Sequence, residues 1–152
     1  MNKIKKLKNF FKIYNLDGYL VPKNDEFFGE YIPNHKDNLK FISNFSGSSG
    51  FALILKKKNY LFVDGRYDLQ AKIQSGKFFD ICVIPKKFPS NILKNKNLII
   101  GFDPKLHTQL MISRFFRKTS CKLIPIKENL INKIWKRKSI TSYKKFYMLK
   151  NK

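Results

Sequence analysis

Phe51-Ala52-Leu53-Ile54-Leu55-Lys56-Lys57-Lys58-Asn59-Tyr60-Leu61-Phe62-Val63-Asp64-Gly65-Arg66 carries the pattern that decides the fold. Two short apolar runs, each of strand length, flank the polar segment Lys56-Lys57-Lys58-Asn59, which closes them into a β-hairpin. Asp64-Gly65 ends the second strand. Residues 66–74 then read as a helix, with Leu69, Ile73 and Tyr67 facing inward.

Upstream of the hairpin, Gly47-Ser48-Ser49-Gly50 reads as a tight turn whose glycines supply the backbone angles. Asp37 is placed to cap a helix running to about Asn44, with Leu39, Phe41, Ile42 and Phe45 on its apolar side. Earlier still, Asp17-Gly18 forms a turn into the short strand Tyr19-Leu20-Val21, stopped by Pro22, and residues 23–34 read as a polar loop. Ile4, Leu7, Phe11 and Tyr14 recur at the spacing of an amphipathic helix. Lys8, Asn9 and Lys12 interrupt its apolar runs, so it reads as a helix packing on its own domain rather than a signal peptide.

Downstream, strand and helix alternate. Residues 79–84, 98–100 and 123–126 read as extended, 90–94 as a helical turn, and 108–117 and 129–135 as helices. The alternation predicts an α/β fold, a mixed β-sheet flanked by helices, with the hairpin as its antiparallel part. Residues 1–135 form one domain. Residues 136–152, with seven Lys or Arg and no cap or strand pattern, read as a linker or the truncated start of a second domain, the alternative being a frayed tail.

The chain has 152 residues and a formal charge of +22, from 32 Lys+Arg against 10 Asp+Glu. Its 43% hydrophobic content is enough for a core and excludes a disordered basic tail. No apolar run approaches the roughly 18 residues of a membrane span. Arg, the residue suited to bidentate phosphate contacts, supplies only 4 of the cations. Lys abundance beside many Asn, Ile and Phe follows A/T-rich codons, so the charge predicts salt-sensitive adhesion to polyanions and no specific nucleic-acid partner. Cys82 and Cys121, lacking CxxC spacing, read as buried reduced thiols, and cytoplasmic residence is the expectation.

No catalytic constellation stands out. His35 and His107 are far apart in sequence and without a nearby acidic pair, so each reads as a surface or capping residue. Ser48 lacks the G-x-S-x-G spacing of a nucleophile elbow, and no phosphate-loop or dinucleotide fingerprint occurs. Arg66 is the exception, because it follows a strand end, where an α/β sheet presents functional groups. A guanidinium there can hold a carboxylate or a peptide carbonyl. Its competing role is structural, paired with Asp64 or Asp68.

Six segments in register carry a resemblance. They are Leu16-Asp17-Gly18-Tyr19-Leu20-Val21-Pro22, Gly29-Glu30-Tyr31-Ile32-Pro33, Phe45-Ser46-Gly47-Ser48-Ser49-Gly50, Val63-Asp64-Gly65-Arg66-Tyr67-Asp68-Leu69-Gln70-Ala71, Gly101-Phe102-Asp103-Pro104-Lys105-Leu106-His107-Thr108, and the stretch from Leu123 to Trp135. Together they resemble the N-terminal, creatinase-like domain of the Xaa-Pro aminopeptidases (aminopeptidase P), in the long three-domain form. The resemblance implies a ribonuclease-H-like topology. It also implies a reaction, removal of the N-terminal residue preceding proline by two divalent metals, usually manganese, bound to Asp, His and Glu of a C-terminal catalytic domain that this chain does not contain.

By the same resemblance Arg66 contacts the peptide substrate, Asp64, Gly65 and Tyr67 set its position, and His107 is not a metal ligand. No residue of this chain is expected to be catalytic or to bind metal, and the family's dimers are built largely by the catalytic domain. The chain departs from the family where Asn38-Leu39 replaces a usual Arg, Asn44 a usual Gly, and Lys138-Ser139 a common Arg-Pro. The expectation is therefore a non-catalytic N-terminal domain of a metallopeptidase, present as a fragment, split product or truncated relative. The alternatives are a stand-alone interaction module or a weak basic nucleic-acid binder.

Overall fold

The computed structural model describes residues 2–137. The hairpin is present as β2 (Gly50–Leu55) and β3 (Asn59–Asp64), antiparallel, with Ala52 opposite Leu61. Side chains alternate across each strand, so neighbours enter different cores. Ala52, Ile54, Leu61 and Val63 join one apolar layer, and Phe51, Leu53, Tyr60 and Phe62 join the other. This two-sided burial is why both runs are continuously apolar.

The chain begins with α1 (Asn2–Ile13), followed by β1 (Gly18–Pro22), buried along its whole length. β1 lies antiparallel to β2 and parallel to β5 (Ile99–Phe102). β4 (Asp80–Ile84) pairs with β3, and β6 (Lys122–Pro125) pairs with β5, both parallel. The order is β4-β3-β2-β1-β5-β6, and β2 alone runs against the others. This is the predicted mixed sheet, and it brings the carboxyl ends of five parallel strands to one edge.

Helices cover both faces. α1, α2 (Asn38–Ser43), α3 (Asp68–Ser75) and α6 (Leu130–Ile134) bury Leu7, Phe11, Leu39, Ala71 and Ile131 against one face. α4 (Pro89–Leu93) and α5 (Gln109–Phe116) bury Leu93, Phe115 and Phe116 on the other. The predicted cap of α2 is present, with Asp37 accepting from Lys40 N at 2.9 Å. At the far end of α2, Asn44 takes φ 66°. Asn tolerates this left-handed conformation better than any residue except Gly, so the departure from the usual glycine preserves the helix stop.

Four sequence expectations are corrected. Leu69 and Ile73 of α3 do not face inward; they are 71% and 76% exposed, and the inward line is the half-buried Tyr67 with the buried Ala71 and Ser75. Ala71 and Ser75 are small, so the helix backbone can approach the sheet, and Ser75 Oγ donates to Ser43 O at 2.8 Å. Cys121 is only half-buried, whereas Cys82 is buried. Gly47 is required by packing, since a Cβ there would lie 2.3 Å from Cζ of Phe45. His107 is not at the surface, being 6% exposed; it follows the 3-10 turn Pro104–Leu106 as its C-cap residue, while Thr108 caps the start of α5 by accepting from Met111 N.

The expectation for residues 136–152 falls outside the described residues from Lys138 onward. The last described segment is tied back to α2. Trp135 stacks on Phe41 with ring centroids 4.4 Å apart, and Arg137 donates to Asn38 Oδ1 at 2.8 Å.

Candidate functional site

Arg66 stands at the carboxyl end of β3. Asp64, extended at φ −63° and ψ 150°, caps the single 3-10 turn Gly65–Tyr67. One oxygen, Asp64 Oδ1, accepts from both Arg66 N (3.0 Å) and Arg66 Nε (2.9 Å). These two bonds hold the carboxyl below the usual carboxylate range and raise the guanidinium further.

The pairing with Asp64 considered as Arg66's structural role is therefore present. Asp68 takes no part; it pairs with Lys72 one turn along α3. The Asp64 contact does not exhaust the guanidinium. It engages Nε, while the terminal nitrogens find no partner among the described residues and the side chain is 75% exposed. The contact leaves the terminal N–H fork open, in a form able to grip a carboxylate or carbonyl end-on.

Tyr67 completes the support. The Arg66 guanidinium lies 5.7 Å from its ring centroid, and its hydroxyl lies 2.7 Å from Ser48 Oγ. Phe45 meets the same ring edge-on at 5.8 Å. The 45–49 turn is bound to α3 as well, with Ser46 N donating to Gln74 Oε1 at 2.9 Å and Gln70 Nε2 to Ser46 Oγ at 2.9 Å. Ser48 is consequently a strut for Tyr67. Gly65 is not sterically demanded, since a Cβ there would meet only Val83 Cγ1, at 3.6 Å.

The sequence reading missed the Ser46, Ser48, Gln70 and Gln74 network. Its signal was faint, two Gln at helical spacing beyond a Ser-rich turn. His107 keeps a structural role: Nδ1 lies 2.9 Å from Asp103 O, Nε2 is buried without a partner among the described residues, and burial lowers its pKa. Among the described residues no three His, Cys, Asp or Glu side chains converge as metal ligands, and no helix is long and apolar enough to cross a membrane.

The sequence profile of the creatinase/prolidase N-terminal domain matches residues 3–134. The chain belongs to this family. A creatinase/prolidase N-terminal domain is also what its relatives contain at the matching place. The probable Xaa-Pro aminopeptidase P of Laccaria bicolor is 34% identical over 143 residues, covering 88% of this chain and 22% of the relative. Aminopeptidase P1 of Lotus japonicus is 33% identical, covering 79% and 19%. This chain therefore spans about a fifth of the length of these relatives.

Solved structures agree. The X-prolyl aminopeptidase of Caenorhabditis elegans, described as a cytosolic enzyme with a di-nuclear active site, superposes with a TM-score of 0.79 at 26% identity, over 92% of this chain and 26% of that one. The N-terminal domain of a cytoplasmic peptidase from Mycobacterium tuberculosis shares the fold, with a TM-score of 0.67 at 19% identity over 88% of this chain and 98% of that one.

Proposed function

We propose that this creatinase/prolidase N-terminal domain serves a cytoplasmic, metal-dependent Xaa-Pro aminopeptidase as its non-catalytic, substrate-binding part. Arg66 is the residue that binds peptide. The observation that carries this reading is the divided guanidinium: Nε is anchored on Asp64 while the terminal nitrogens stay open at the exposed carboxyl end of β3.

In this reading Arg66 holds a carbonyl or carboxylate of the peptide, and Tyr67 and Asp64 limit its rotamers so that little entropy is lost on binding. The metals, manganese in the usual case, are held by a separate domain and supply the hydroxide. The chain alone, given Mn²⁺, is expected to release nothing from an Xaa-Pro peptide. In the enzyme joined to its catalytic domain, Arg66→Ala is expected to raise KM by about tenfold or more, the worth of a charge-assisted contact. Arg66→Lys recovers only part, because an ammonium lacks the fork. Unchanged KM and kcat/KM in Arg66→Ala would leave Arg66 a purely structural role.

A further inference from the structure

At the carboxyl edge of the sheet, the loops leaving β1 and β5 go separate ways. β1 leads toward β2 on one side, and its parallel neighbour on the other side, β5, leads outward to β6. Such a switch point leaves a crevice between diverging loops, and ligands of open α/β sheets occupy it. Here it holds a cleft of about 250 Å³, separate from the Arg66 turn.

The lining is unusual for this chain. It gathers three of the ten carboxylates, Asp25, Glu26 and Asp103, together with three cations, Lys36, Lys105 and Arg137. Elsewhere cations outnumber acids heavily, so a balanced cleft is a local arrangement rather than an echo of composition. Several of these groups satisfy one another. Glu26 pairs with Lys36, while Asp103 accepts from Lys105 N and from Asn129 Nδ2, each at 2.9 Å.

What remains open is one acceptor and two donors. Asp25 is only 6% exposed, and its Oδ1 accepts from Phe27 N at 3.1 Å and Gly29 N at 3.4 Å. Its Oδ2 meets no donor among the described residues. That oxygen is not enclosed, so it stands open to the cleft that Asp25 lines. In the same lining, the Lys105 ammonium pairs with no carboxylate among the described residues, and Arg137 spends one nitrogen on Asn38 Oδ1.

We propose that this cleft binds a small zwitterion of the α-amino acid class, its ammonium donating to Asp25 Oδ2 and its carboxylate accepting from Arg137 and Lys105. A simple cation would face three positive side chains, and a simple anion would face Asp25. A dipolar ligand finds a partner in the lining for each of its ends. The volume lies below the roughly 300 Å³ at which drug-sized sites begin, which suits a single amino acid. An aminopeptidase releases free amino acids, but the proposal stands on the cleft's charges and is read without turnover, so it can fail while the reading of Arg66 survives, and the reverse.

The test is isothermal titration of the purified chain with L-alanine, N-acetyl-L-alanine, which lacks the ammonium, and L-alaninamide, which lacks the carboxylate. L-Alanine is expected to bind with Kd of about 1 mM or tighter, and each half-charged analogue about tenfold or more weakly. Asp25→Asn keeps an oxygen for Phe27 N and Gly29 N while removing the charge, and is expected to weaken L-alanine by about tenfold or more. Lys105→Gln, at an exposed side chain that carries no part of the core, is expected to weaken it by a smaller factor and decides the matter if Asp25→Asn unfolds. Absence of L-alanine binding, equal binding of the half-charged analogues, or wild-type affinity in a folded Asp25→Asn or in Lys105→Gln overturns the proposal.

Discussion

Helices α1 and α3 lie on the same face of the sheet, and each carries large apolar residues at helical spacing. In α1 the stripe of Leu7 and Phe11 is buried, with Ile4 and Tyr14 packed beside it. In α3 the pair Leu69 and Ile73 points to solvent, and the contact is made by Tyr67, Ala71 and Ser75. The difference teaches that periodicity reports a helix and its possible faces, while the space beneath decides which face is used. α1 reaches the core with long side chains. α3 follows β3 after one tight turn, and Ser75 is fastened to Ser43 O, leaving room for Ala71 but none for a leucine.

The sharpest break of this comparison is truncation of each stripe. Phe11→Ala is expected to cost about 3–5 kcal/mol in denaturant unfolding, the range for a fully buried aromatic. A loss below about 1 kcal/mol would show that α1 is only loosely seated. Enlarging the small contact comes next. Ala71→Leu is expected to cost about 1–3 kcal/mol by overpacking, and a neutral or stabilising result would show that α3 can lift from the sheet.

Asp17 and Asp64 extend the comparison to carboxylates. Both accept a backbone N–H and a cation, but Asp17 Oδ2 takes Ile99 N at 2.9 Å, joining β1 to β5, whereas Asp64 serves only its own turn. The Lys56 hydrogen bond, then the Ile99 N–H, lower the Asp17 pKa, so its contribution is present above the unfolded carboxylate pKa and is lost as pH falls through the folded value. Asp17→Asn is expected to cost about 1 kcal/mol at pH 7, solvent screening limiting the Lys56 part. The gap from wild type narrows below about pH 4, as followed by thermal unfolding across pH. A gap constant with pH would mean the ionised form is not the one that matters. The smallest effects belong to the exposed pair: Leu69→Ser and Ile73→Ser are each expected to stay within about 0.5 kcal/mol, and a larger loss would restore the inward face that periodicity suggests.

Much of the fold could be read from local chemistry. The 51–63 hairpin, the Asp37 cap, the α1 stripe and the Asp64-Gly65 strand end each depend on residues close in sequence, and each occurs as read. Arg66 was found because a strand end and a turn announced it, and the structure adds how it is held, by one oxygen of Asp64 two residues away. The polar loop 23–34 shows the opposite case. Nothing local distinguishes Asp25 from a solvated surface residue, and it is buried because its loop folds over the edge beside Asp103 and Asn129, about 80 to 100 positions later.

By itself, then, the sequence determined the alternation of elements, the hairpin, the caps and the turn that presents Arg66, because these follow from periodicity, side-chain hydrogen bonding and backbone preference over a few residues. Tertiary structure alone decided that α3 buries Ala71 instead of Leu69, that His107 is interior, and that Asp25 lines one cleft with Lys105 and Arg137. These outcomes depend on distances between segments remote in the chain, and the close packing of the interior leaves each of them a single solution.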